Sequence, residues 1–67
     1  MTRNELKQKM FGQPGVKVFE TIEIKYKDYQ MWPIFGNITR KGENGDLVCV
    51  ATNQTPQQMW DFYCKTK

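Results

Sequence analysis

The chain has 67 residues, ten of them Lys or Arg and seven Asp or Glu, for a net charge of +3. It contains no histidine. That excludes Ser-His-Asp and Cys-His nucleophiles and every His-containing zinc site, and the two cysteines, Cys49 and Cys64, are too few to close an all-cysteine tetrahedral site within one chain.

A chain this short buries only about 60% of the surface its unfolded form exposes, so residues 1–67 are expected to form one small domain, helped by partner binding or self-association. Four Phe, three Tyr and two Trp supply large buried areas for a small core. A charged fraction of 25% is that of a folded domain and not of a disordered tail. The mild basic balance permits nucleic acid or an acidic protein as partner and demands neither. No apolar stretch approaches the ~20 residues of a membrane span, and "MTRNELKQKM" lacks the apolar run of a signal peptide. The expectation is a cytoplasmic protein without membrane association, with reduced, buried, structural cysteines.

"TRNELKQKMF" opens on a capping box, Thr2 with Glu5. Leu6 and Met10 share one face at a spacing of four. Gly12 and Pro14 end the element, which predicts a helix over about 3–11. "GVKVFETIEIKYKDY" alternates with period two. Val16, Val18, Ile22, Ile24 and Tyr26 point one way, with Glu20 the odd polar residue among them. Lys17, Phe19, Thr21, Glu23, Lys25 and Lys27 point the other way. This predicts one half-buried strand. Asp28 and Pro33 bracket a connection, "KDYQMWP", that is unusually apolar. Trp32 is biased to extended backbone by the proline after it.

"IFGNITRK" and "LVCVAT" predict two further strands joined at "GENGD". A two-residue Asn44-Gly45 turn would set Ile38 opposite Ala51 and Arg40 opposite Cys49. A three-residue loop, Glu43-Asn44-Gly45 with Gly45 left-handed, would set Ile38 opposite Val50 and Arg40 opposite Val48. The second is preferred, because Ile38, Val48 and Val50 then share an apolar face. Finally "TPQQMWDFYCKTK" predicts a helix with Thr55 as N-cap, Pro56 at the first position and Gln58 completing a capping box. Met59, Phe62 and Tyr63 form its inner stripe, widened by Trp60 and Cys64. The predicted fold is therefore α+β, a three-stranded antiparallel β-meander with one short helix at each end (α-β-β-β-α).

In outline, Trp32 to Tyr63, ending in "NGDLVCVATNQTPQQMWDFY", is similar to the arm-type DNA-binding domains of phage integrases. Those end in a strand, a threonine-containing cap and a helix with aromatic or alanine anchors. This helix departs from them in carrying bulky Met59 and Trp60 where they tend to have small residues. The likeness implies a three-stranded sheet and no particular ligand.

Two surfaces are candidates for function. The first is the sheet face opposite the helices, where Lys17, Lys25, Lys27, Arg40 and Lys41 could contact phosphates and Phe19 or Phe35 could stack on bases. Arg40 joins it only in the alternative hairpin register or by reaching round the edge. Solvent faces of small sheets also carry Lys as ordinary protection against aggregation. The second is the apolar run Tyr29, Met31, Trp32 and Phe35, residue types enriched at protein interfaces.

No catalytic residue is predicted. Gly12, Gly15, Gly36, Gly42 and Gly45 match no phosphate-binding loop, the loop acids lack calcium-ligand spacing, and no cofactor, metal or small-molecule substrate is expected. The sequence thus points to a non-enzymatic binding protein. It binds nucleic acid, or it is a compact regulator of the kind phages encode, docking on a larger protein. A homodimer is compatible with either.

Overall fold

The computed structural model describes residues 1–19 and 23–67. Helix α1 (Arg3–Phe11) is followed by β1 (Val16–Phe19), β2 (Glu23–Tyr26), β3 (Tyr29–Trp32), β4 (Asn37–Lys41) and β5 (Leu47–Ala51), then by α2 (Pro56–Thr66). The strands pair in chain order as one antiparallel sheet. The chain is α+β with a helix at each end, as expected, but its described sheet has five strands instead of three. No helix among the described residues is long and apolar enough to cross a membrane.

Two features account for the extra strands. The long alternating run is two strands, β1 and β2, with Val18 opposite Ile24 and Phe19 opposite Glu23. Residues directly opposite each other in a ladder share a face. This register therefore keeps Val16 and Val18 on the same side as Ile24 and Tyr26, and the pattern reads in phase through the reversal. The expectations for Glu20, Thr21 and Ile22 lie outside the described residues. The second feature is β3, which falls where a connection was expected. Lys27 and Asp28 alone link β2 to β3, with Tyr26 opposite Tyr29 and Lys27 at φ 50. No glycine or asparagine announces this turn, so "YQMW" reads as a loop when it is the central strand.

The β4–β5 hairpin has the preferred three-residue loop. Lys41 pairs with Leu47 and Arg40 with Val48, the Gly42 amide donates to the Asp46 carbonyl at 2.6 Å, and Gly45 takes φ 85. A register shift between Ile38 and Thr39 then sets Ile38 opposite Ala51. Val50 is the extra residue of this bulge. It leaves the expected pairing with Ile38 and is 40% exposed.

Both helices lie on one face of the sheet. Leu6 and Met10 of α1, Met59 and Tyr63 of α2, and Ile24, Tyr26, Met31 and Ile38 of the strands form one buried cluster, with Val16, Val18, Tyr29, Ala51, Trp60 and Phe62 packed against it. Methionine is unbranched and fits irregular gaps, which suits a core this small.

Rings tie α2 to the sheet. Tyr26 meets Tyr63 edge-on at 4.9 Å between centroids, and Tyr29 meets Phe62 edge-on at 5.4 Å. The Tyr26 and Thr66 hydroxyls are 2.8 Å apart. Lys9 of α1 lies 5.0 Å over the Trp60 ring. Each helix begins with the expected capping box. Thr2 Oγ1 accepts from the Glu5 amide and Glu5 Oε1 from the Thr2 amide. Thr55 and Gln58 repeat the arrangement. The Thr2 amide holds the Glu5 carboxyl below its ordinary range. The cysteines correct another expectation: Cys49 and Cys64 are both free and both exposed, not buried.

Two predictions follow from this packing. Gly36 has φ 74, and an added Cβ would lie 3.1 Å from the Gln54 carbonyl oxygen and 3.2 Å from its amide nitrogen. Gly45 has φ 85 with open space around it. In urea denaturation, Gly36→Ala should cost more than about 1 kcal/mol, and clearly more than Gly45→Ala, whose cost is backbone strain alone. Burial pushes the Tyr26 phenol up to about 12, against the opposing pull of its Thr66 hydrogen bond. The folded state thus favours the protonated phenol. The stability this contributes is complete below pH ~10, where the unfolded phenol titrates, and is lost as pH rises toward 12. Thermal melts of wild type should fall across that window more steeply than those of Tyr26→Phe.

Candidate nucleic-acid interface

The sheet alternates side chains between its faces. With Ile24, Tyr26, Met31 and Ile38 under the helices, their strand neighbours stand on the opposite face. One row across it reads Lys17, Lys25, Gln30, Thr39, Cys49. A second holds Phe19 opposite Glu23 and Trp32 opposite Asn37. Lys41, opposite Leu47, completes the face. Neither helix covers it.

Three of the seven predicted nucleic-acid contacts are lysines on this face, Lys17, Lys25 and Lys41, all exposed. Lys25, Gln30, Lys41 and Leu47 help to line one surface concavity of about 360 Å³, whose rim also includes Lys27 and the acidic Asp28. Phe19 is also on this face, 47% exposed, with the Lys25 ammonium 5.8 Å over its ring. Glu23 tempers the positive field. Its half-buried carboxylate is 3.9 Å from the exposed Lys25 ammonium, a surface pair worth at most about 1 kcal/mol.

The other three predicted contacts are elsewhere. Lys27 turns its ammonium to the Thr66 carbonyl at 2.6 Å. There it satisfies one of the last carbonyls of α2 and complements the helix dipole. Arg40 sits in the row of Tyr29 and Val48, on the helix side of the sheet, as the three-residue loop requires. Phe35 lies in the turn between β3 and β4, 64% exposed beside Ile34 at 51%. The Phe35 and Gly36 amides both donate to the Trp32 carbonyl, at 3.0 and 2.8 Å.

The second predicted surface is not assembled as one patch. Met31 is fully buried, and Tyr29 stacks on Tyr26 at 5.4 Å and packs edge-on against Phe62. Trp32 and Phe35 remain accessible, Trp32 half-buried on the open face. The strand alternation of "IFGNITRK" already puts Asn37 and Thr39 on that face, and sequence reasoning missed only Gln30 and Trp32. It took residues 29–32 for a connection, and only a strand assignment there would have placed them.

Among the described residues, no group of three or more His, Cys, Asp or Glu side chains is placed to hold a metal ion. No protein-family model matches this chain, and no curated protein or solved structure matches it.

The position of Lys27 gives a direct prediction. Lys27→Met should lower stability by about 0.3–1 kcal/mol, the scale of a cation at a helix C-terminus, read from denaturant melts at low salt.

Proposed function

We propose that this protein binds nucleic acid, without catalysis, through the sheet face that its helices leave open. One observation carries the reading: the packing of α1 and α2 on the same side leaves Lys17, Lys25 and Lys41 interleaved with Phe19, Trp32, Gln30, Asn37 and Thr39 on the other. Ammonium groups neutralise phosphates and release counterions. Aromatic faces stack on bases in a sequence-tolerant way, and amides and hydroxyls on a strand can hydrogen-bond base edges. The lysines come from three different strands of a hydrogen-bonded sheet, so their spacing is held by backbone and not by flexible loops.

A second reading has its own observation. Ile34 and Phe35 are more than half exposed at the β3–β4 turn, next to Trp32. Exposed apolar residues clustered beside an aromatic suit docking on a larger protein, and in that reading the chain is a compact protein regulator.

The two separate in one titration. The labelled protein is mixed with DNA and RNA oligomers while its amide resonances are followed at low and moderate salt. Nucleic-acid binding predicts shifts at residues 17–19, 23–25, 30–32 and 37–41 that fade as salt rises. It also predicts an affinity loss of at least tenfold for Lys17→Ala combined with Lys25→Ala. Silent spectra at low salt overturn it and leave docking through Trp32, Ile34 and Phe35.

A further inference from the structure

We propose that two copies of this chain associate through β5, pairing antiparallel about a two-fold axis at Cys49. This goes beyond the binding face and does not depend on it. β5 is the last strand of the sheet, so among the described residues one of its sides has no neighbouring strand.

Its side chains are exposed on both faces. Leu47 is 59% exposed and Cys49 is exposed on the open face. Val48 is 46% and Val50 40% exposed, beyond the cover of the helices. Natural edge strands are usually guarded by charge, proline or a covering segment. The five residues Leu47-Val48-Cys49-Val50-Ala51 contain no charge and no proline. The opposite edge, β1, carries Lys17 within its four residues.

The chemistry of the edge selects a second copy as occupant. The sequence LVCVA is apolar and near-symmetric about Cys49. A two-fold there sets Cys49 against Cys49 of the second copy, flanked by Val48 and Val50. Past the bulge Ala51 turns to the helix side while Leu47 stays on the open face, so the paired segment is centred on Cys49. No charged side chain meets another across this segment; the nearest, Asp46, lies outside it. The backbone fits the same register. Gly42 and Asp46 form a hydrogen-bonded pair, and such pairs alternate along an antiparallel ladder. Arg40 and Val48 are the next bonded pair, which turns the N–H and C=O of Leu47 and Cys49 outward to the free edge. In the dimer the two Cys49 residues exchange both bonds, with Cα atoms about 5.5 Å apart.

The bulge at Val50 bends the end of the strand, so the seam is short. It is small against the ~1,600 Å² of a standard stable interface. A rapidly exchanging dimer follows, populated at high concentration.

The test is sedimentation equilibrium from about 10 μM to about 1 mM, the range in which weak association is read, on wild type and Cys49→Lys. A short bis-maleimide crosslinker is applied to Cys64→Ser and, separately, to Cys49→Ser. The proposal expects a dimer fraction that grows with concentration in wild type and drops at least tenfold in Cys49→Lys. It expects covalent dimer from Cys64→Ser and none from Cys49→Ser. Retained native amide shifts show that Cys49→Lys is folded; should it unfold, Leu47→Glu takes its place. A wild type monomeric throughout overturns the proposal. So does a dimer that survives the edge charge and crosslinks only through Cys64, because that dimer uses another surface.

Discussion

The contact on which the rest of this domain depends is the seam between one sheet face and the two helices. It is built from Leu6, Met10, Ile24, Met31, Ile38 and Met59, all fully buried, and closed at one end by Tyr26 against Tyr63. A chain of this length has enough apolar side chains to fill one layer between sheet and helices and no more. Burial is therefore one-sided, and the other face is left to water or to a ligand. Functional possibilities here come from what the core did not consume.

The same constraint explains the distribution of charge and aromatics. Lys27, placed at the β2–β3 turn, is drawn to the carbonyl end of α2 because that helix ends above it. Tyr29 and Met31 are committed to the core by the register of β3. Lys17, Lys25 and Lys41 stay in solvent because their strand neighbours face inward. Trp32 joins them for the same reason. A protein with a second helical layer would have covered this face, and its lysines would then have needed partners.

The limited cover also thins toward β5. The helices bury the side of the sheet nearest β2 and β3, and Ala51 is the residue of β5 that packs against the core. The remainder of that strand shows apolar groups on both faces while its outer backbone groups lie open. A small domain that cannot complete its own sheet gains most from a partner at this place, since strand addition satisfies main-chain donors and acceptors together with apolar side chains.

Much of this was legible in the residues. Both capping boxes, the two helices, the α1 pair Leu6 and Met10, the inward set Val16, Val18, Ile24 and Tyr26, and the three-residue loop at Gly45 follow from local chemistry: cap geometry, side-chain periodicity and the left-handed freedom of glycine. The strand count was not legible. Reversal between β1 and β2 preserves the alternation in phase, and the Lys27-Asp28 turn has no glycine or asparagine at its left-handed position, which Lys27 fills. Nor could the sequence show the bulge at Val50, the turning of Lys27 toward α2, or the exposure of both cysteines, because each depends on which element lies opposite. The sequence by itself determined the class of fold and which residues prefer the interior. Tertiary structure decided which lysines share a face and which edge stays open, because pairing across strands is a relation between distant segments and is not encoded in either one alone.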